Sequence, residues 1–175
     1  MPCRASIRQE DGSDGARKIV DMTGLKIREA QSGDEVELAA MMALLWPDGT
    51  VEEHRREAAA VVRSGMSGTL PGVIFLAMDA SEKPAGFLYA GLRSHADGCD
   101  ISRPVGFIEG WFVREESRRH GIGSALMGAG EVWARAQGCL EMGSDALIEN
   151  EESQSAHDAL GFEVVDRCVH FRKNL

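Results

Sequence analysis

The sequence has no run of 18 apolar residues and no signal-peptide core, so neither a membrane-spanning helix nor a secretory leader is expected. Positive charge is scarce: 19 Lys and Arg stand against 28 Asp and Glu, a formal net charge of −9. Nucleic-acid binders carry a basic footprint, so nucleic acid is not an expected partner. An acidic surface suits cationic ligands, although it also serves plain solubility. Cysteine is sparse as well. Cys3, Cys99, Cys139 and Cys168 form no CxxC pair, and the histidines complete no zinc pattern. The reading is therefore no metal, no disulfide framework, and reduced thiols in a cytoplasmic protein. Tyrosine occurs once, at Tyr89. There is no internal repeat.

What is present fits one globular domain. The chain has 175 residues, 43% of them hydrophobic and 27% charged, enough for a real core. Residues 1–24 are polar and aperiodic. They read as a flexible extension, with Met22 a candidate start, and the domain as 25–175. Leu25 to Glu29 alternates like a strand, and Asp34 to Leu45 has a helical period. Thr50-Val51-Glu52-Glu53 is a capping box for a helix running to about Ser64. Gly65 to Gly72 reads as a loop, and Val73 to Met78 with Ala85 to Leu92 as a hairpin. Val105 to Val113 is a strand, and Ile122 to Gln137 a helix closed by Gly138. Leu140 to Ser144 is a short strand, and Glu152 to Leu160 a helix closed by Gly161. Phe162 to Lys173 reads as one strand or two. This order implies a mixed sheet with helices on its faces, an α/β architecture.

The chain is organised around Gly106 to Leu126, where a buried strand leads into a charged loop, a glycine turn and a helix. Gly121 and Gly123 let the backbone approach a ligand closely. The N–H groups of the helix start favour a phosphate. Arg118, Arg119 and His120 add positive charge. The turn is not a P-loop, because Ser124-Ala125 follows Gly123. It is not a dinucleotide fingerprint either, because Leu126 stands where a third glycine belongs. Glu109 is a charge inside an apolar strand, and buried carboxylates are rare without a partner or a task. A salt bridge to an arginine is the structural alternative. Asp145 follows the next strand, as a loop or capping carboxylate or as a ligand group. Trp46 ends a helix, where it fills the core or packs on a ligand.

The pattern Arg118-x-x-Gly121-x-Gly123 after a strand resembles the acetyl-CoA motif of the GNAT N-acetyltransferase superfamily. The opening Ile27-Arg28-Glu29-Ala30, Asn150 past the fifth strand, and Ala159-Leu160-Gly161-Phe162 match the same superfamily over residues 25 to 173. Further segments resemble aminoglycoside 6′-N-acetyltransferases. They are Leu45-Trp46-Pro47, Gly98-Cys99-Asp100, Phe107-Ile108-Glu109-Gly110, Gly138-Cys139-Leu140-Glu141-Met142, Ser144-Asp145 and His157-x-Ala159-Leu160-Gly161-Phe162.

The resemblance implies a splayed mixed sheet and acetyl-CoA-dependent acetylation of an aminoglycoside 6′-amine, with direct transfer in a ternary complex of a homodimeric enzyme. Acetyl-CoA would lie on the backbone of Trp111, Phe112 and Val113. Arg118, Arg119, His120, Gly121, Ile122, Gly123 and Ser124 would hold its pyrophosphate, and Asn150 would touch the CoA. Trp46, His95, Glu109, Asp145 and Asp166 would meet the cationic substrate. Glu109 and Asp145 are the catalytic carboxylates of this reading. Glu109 lies roughly 7 Å along the strand from Trp111, which suits a water relay. The usual thiolate-protonating Tyr is replaced by His157, the third catalytic candidate. The alternatives are a GNAT enzyme acting on another amine, such as a peptide N-terminus or a polyamine, and a non-catalytic acetyl-CoA-binding module.

Overall fold

The computed structural model describes residues 18–20, 25–100 and 102–175. Apart from β1 (Lys18–Val20), the 1–24 extension lies outside the described residues. The other elements are β2 (Lys26–Glu29), α1 (Glu35–Leu45), α2 (Val51–Ser64), β3 (Met66–Ser67), β4 (Leu70–Met78), β5 (Pro84–Arg93), β6 (Val105–Val113), α3 (Ile122–Ala136), β7 (Met142–Ser144) and α4 (Glu151–Ala159). A 3-10 turn spans Glu115–Ser117. The sheet runs β1-β2-β4-β5-β6-β7, with β3 paired to the start of β4. β6 and β7 are parallel. The other pairs are antiparallel.

Both faces of the central strands are buried, which explains their near-continuous apolar sequence. Along β4, Ile74, Leu76 and Met78 turn to one face and pack with Leu38, Met41 and Met42 of α1 and Ala58 and Val61 of α2. Phe75 and Ala77 turn to the other and pack with Ile122, Leu126, Met127 and Ala129 of α3. The capping box at α2 is complete: Glu53 N–H donates to Thr50 Oγ1 at 3.2 Å, and Thr50 N–H to Glu53 Oε2 at 2.9 Å. Gly65 at φ 66° and Gly138 at φ 86° end α2 and α3 in the left-handed conformation that glycine tolerates.

Two expectations are corrected. The Gly65–Gly72 stretch holds β3 and the beginning of β4. More importantly, Phe162 to Lys173 forms no strand. It has the alternation of one, but a strand exists only where a neighbour takes its backbone bonds. From Gly161 to the end the chain is exposed except at Phe162, with Val164 71%, Val169 75% and Phe171 94% accessible.

An ion pair ties β2 to α1. Arg28 donates to both Asp34 oxygens, at 2.6 and 2.8 Å, and Gln31 N–H donates at 2.7 Å. Burial pushes the Asp34 carboxyl up, but the Arg28 and Gln31 hydrogen bonds and the Arg28 charge outweigh it and hold it below the usual range. A depressed carboxylate stabilises the fold above its unfolded pKa, about 3.9, and this contribution is lost as pH falls through the folded value. Asp34→Asn should therefore cost about 1.5 kcal/mol at pH 7, roughly 3–6 °C in Tm. Thermal melts should show the gap from wild type closing in acid. A constant gap at every pH would exclude the ionic contribution.

Candidate active site

The site is built where β6 and β7 part. They pair only at Gly106↔Met142, Phe107↔Gly143 and Ile108↔Ser144. From Glu109 onward β6 runs on to Val113 with β5 on one edge and, among the described residues, no strand on the other. The register with β5 also shifts there: Ala90 faces Ile108 and Tyr89 faces Gly110, leaving Glu109 without a counterpart. Such a bulge re-aims side chains. Ile108 and Trp111 both pack towards α3, while Glu109 joins a cavity on the opposite face.

That cavity is about 360 Å³ and is lined by Trp46, His54, Glu57, Ser67, Tyr89 and Glu109. The Trp46 ring lies over Gly110, where a Cβ would come within 2.5 Å of it. Buried His54 sets its Nε2 3.0 Å from the Trp46 carbonyl oxygen, which ties the end of α1 to α2, and its ring centroid lies 6.0 Å from that of the indole. Ser67 and Tyr89 share a hydrogen bond of 2.7 Å between hydroxyls. Burial raises the Tyr89 pKa, Glu57 and Glu109 raise it further, and the Ser67 bond opposes them. The phenol thus keeps its proton, and the cavity carries two carboxylates against no cation among its lining residues.

Glu109 also has the arginine partner that its sequence context allowed. Arg93 Nε donates to Oε1 at 3.0 Å and an Arg93 terminal nitrogen to Oε2 at 2.6 Å. The guanidinium lies 3.4 Å from the centroid of the Phe107 ring. The carboxylate is therefore both a cavity wall and one half of an ion pair.

The remaining residues fall into three groups. At the turn, Gly121 (φ 78°) caps α3 without a side-chain hydrogen bond, leaving the first N–H groups of the helix uncapped. Arg119 has φ 64°. Arg118 donates to the Val113 carbonyl at 3.1 Å and to Glu152 at 3.2 Å, while Arg119, His120 and Ser124 are exposed. Gly123 packs under Trp111: a Cβ would meet the indole at 2.9 Å. Trp111 Nε1 is buried without a hydrogen-bond partner among the described residues. Trp111, Phe112 and Val113 present the open edge of β6 beside this turn. The Asn150 side chain accepts from Ser153 N–H at 3.0 Å and caps α4.

Behind Trp111 stands His157. Its ring meets the indole edge-on at a centroid separation of 5.3 Å and Phe162 at 5.1 Å. Asp145 follows β7 and is exposed, one residue past the last β6–β7 pair, as Glu109 is on β6. His95 lies in the loop after β5, 3.3 Å from Asp97 and outside the cavity lining. Asp166 lies in the exposed C-terminal stretch, where it accepts from Arg167 N–H. The geometry thus brings Trp46 and Glu109 together, and does not bring His95 or Asp166 to them.

His54, Glu57, Ser67, Tyr89 and Arg93 escaped the sequence reading. The lone Tyr and the Arg one residue past the expected end of its strand were the available signals.

Residues 38–162 match the family described as Acetyltransferase (GNAT) family. The chain is 38% identical over 149 residues to aminoglycoside N(6′)-acetyltransferase type 1 of Klebsiella aerogenes, covering 85% of this chain and 96% of that protein. Among solved structures it resembles aminoglycoside antibiotic 6′-N-acetyltransferase AAC(6′)-Ih of Acinetobacter baumannii. The TM-score is 0.76 at 32% identity, over 87% of this chain and 99% of that one. It also resembles AAC(6′)-Iy in complex with the bisubstrate analog CoA-S-monomethyl-acetylneamine, with TM-score 0.77 at 32% identity, over 86% and 99% of the two chains.

Proposed function

The chain belongs to the GNAT acetyltransferase family, and from that premise we propose that it acetylates the 6′-amine of aminoglycosides by direct transfer in a ternary complex. The observation that carries the substrate class is the cavity itself. Two carboxylates, Glu57 and Glu109, line it with the Trp46 indole beside the open edge of β6. Aminoglycosides are sugars bearing several ammonium groups, so carboxylates and an aromatic face are the matching chemistry.

The residues also fit acetyl-CoA. The uncapped start of α3, with Gly121 and Gly123, accepts a pyrophosphate. The unpaired edge at Trp111, Phe112 and Val113 takes the pantetheine arm as an added strand, with the exposed Arg119 adding charge nearby.

Chemistry requires a neutral amine. A primary alkylamine has a reference pKa near 10.4, and each unit above the working pH costs about 1.4 kcal/mol. Glu109 and Asp145 hold the ammonium at the fork and pass its proton to solvent. Backbone N–H groups of the bulge supply the dipoles for the oxyanion. The enzyme is read as cytoplasmic and as a homodimer, the latter supported by the exposed apolar side chains of residues 164–175.

The test is turnover with acetyl-CoA and neamine or kanamycin, reading released thiol and locating the acetyl group by NMR. Intersecting initial-rate lines support the ternary complex, and parallel lines would replace it with an acyl-enzyme. Turnover of polyamines or peptides in place of aminoglycosides would overturn the substrate class.

A further inference from the structure

Among the described residues, one hydroxyl proton in the carboxylate cavity has no acceptor. Tyr89 is 5% exposed and packs in the core with Ile74, Leu76 and Phe87, while it also lines the cavity. Its hydroxyl meets that of Ser67 at 2.7 Å. The sheet is shaped to permit this contact. Gly72 of β4 and Gly91 of β5 are cross-strand partners, and Ser67 lies over both. A Cβ added at Gly72 would stand 2.7 Å from the Ser67 Cβ, and one at Gly91 3.3 Å from it. Two absent side chains thus make the slot in which β3 lays its hydroxyl beside the phenol. Glu109 Oε1 and Ser67 Oγ each lie 3.4 Å from the point where a Gly91 Cβ would stand, so they are at most twice that distance apart. Burial chiefly, and the charges of Glu57 and Glu109 against the Ser67 bond, hold the phenol in its protonated form. Two hydroxyls carry two protons, and the bond between them uses one. Whichever oxygen donates, the other O–H is free to reach a ligand.

We propose that Ser67 and Tyr89 form a hydroxyl-reading subsite, which donates its spare proton to the 4′-hydroxyl of the amino sugar whose 6′-ammonium meets Glu109. The proposal rests on the reading of the cavity as the aminoglycoside site. The chemistry of the pair selects the group. A spare O–H needs an acceptor, and an ammonium only donates. A donor between two carboxylates matches a group that accepts and donates at once, and on an amino sugar that group is a hydroxyl. It takes the proton of the pair and gives its own to a carboxylate or to water. The position follows from distance. The Ser67 and Glu109 oxygens are neighbours across Gly91, and the 4′-hydroxyl is the ring hydroxyl nearest the 6′-amine. A sugar without it sets a methylene against the O–H, which then depends on water for a partner. The carboxylates thus supply affinity for polyamines at large, and the hydroxyl pair supplies preference for a hydroxylated sugar among them.

The experiment measures kcat/KM for kanamycin B, for tobramycin, which lacks its 3′-hydroxyl, and for dibekacin, which lacks the 3′- and 4′-hydroxyls. Wild type is compared with a double variant carrying Ser67→Ala and Tyr89→Phe, alongside thermal melts. Both changes are needed because either hydroxyl alone keeps a proton to donate. The double variant should fold, since replacing both members of a hydrogen bond by apolar groups of similar shape is close to neutral. Wild type should use kanamycin B and tobramycin alike, and dibekacin about tenfold less well. In the double variant the first two should fall to the level of dibekacin, with dibekacin itself and the KM for acetyl-CoA little changed. Equal use of all three by wild type would overturn the subsite, whether or not the variant folds. So would an equal loss on all three in the double variant, which marks a packing role. A loss already complete at tobramycin would overturn the 4′ assignment. Absence of wild-type turnover with all three would instead overturn the aminoglycoside reading, and the subsite with it.

Discussion

Glu109→Gln should bind acetyl-CoA as wild type does and lose on the order of a hundredfold in kcat/KM for the aminoglycoside. A hydrogen bond to a charged partner contributes about 1.5–3 kcal/mol, or roughly 10- to 150-fold. A second effect works in the same direction. Arg93 now forks onto Glu109, and an amide leaves its charge uncompensated beside the cavity, where it repels the incoming ammonium. Only the amine side of the fork changes, because the turn proposed to hold the pyrophosphate lies beyond Val113. Steady-state kinetics for the amine and calorimetry for acetyl-CoA separate the two sides. Equal damage to both ligands would give Glu109 a folding role instead, carried by its pair with Arg93. Asp145→Asn should act in the same direction but less strongly, since Asp145 is exposed and exposed charges are screened.

Gly121→Val should be the most damaging change on the cofactor side. Gly121 has φ 78°, and a Cβ there would meet only Leu25, at 4.0 Å. Space is therefore not the constraint, and the fold should survive. The backbone is the constraint: the left-handed conformation costs an ordinary residue about 1–2 kcal/mol and a β-branched one more. Relaxing it swings the first turn of α3 away from the phosphate position. Loss of two charge-assisted N–H contacts amounts to on the order of a hundredfold or more in acetyl-CoA affinity. Calorimetry reads it directly, and unchanged affinity would remove the phosphate-cradle reading. Gly123→Ala makes a contrast, because its Cβ would press on Trp111 at 2.9 Å and act through the indole.

The two predictions also mark what the sequence could carry. β6 and α2 were legible to the residue; for α2 local chemistry sets both ends, Thr50 with Glu53 at one and Gly65 in the left-handed region at the other. Glu109 was legible as an oddity, since a charge in an apolar strand stands out. Its partner was not, because Arg93 reaches it only through the β5–β6 register, 16 residues away in sequence. Glu57 and His54 were hidden for a related reason. They lie on a well-capped amphipathic helix, where a charge reads as solvated surface, and only the packing of α2 beside β3 and β4 buries His54 and sets the exposed Glu57 at the cavity. The reading of Phe162 to Lys173 failed in the opposite way. Alternation was present and pairing was not, and pairing is a non-local property.

The short β6–β7 contact has a consequence for amide exchange with solvent deuterium. On the edge of β6 that β7 leaves uncovered beyond Ile108, the N–H groups between Glu109 and Val113 have no partner strand among the described residues. Those on the β5 edge are held in the ladder. Protection should therefore alternate along this one strand in the free protein, fast and slow at neighbouring residues, although the strand lies at the heart of the sheet. Unprotected amides in a core strand are a local opening made permanent by topology. If the pantetheine arm takes the place of a strand there, acetyl-CoA should slow the fast amides alone. The alternation should then disappear, so that one exchange experiment maps the seam along which the cofactor completes the sheet.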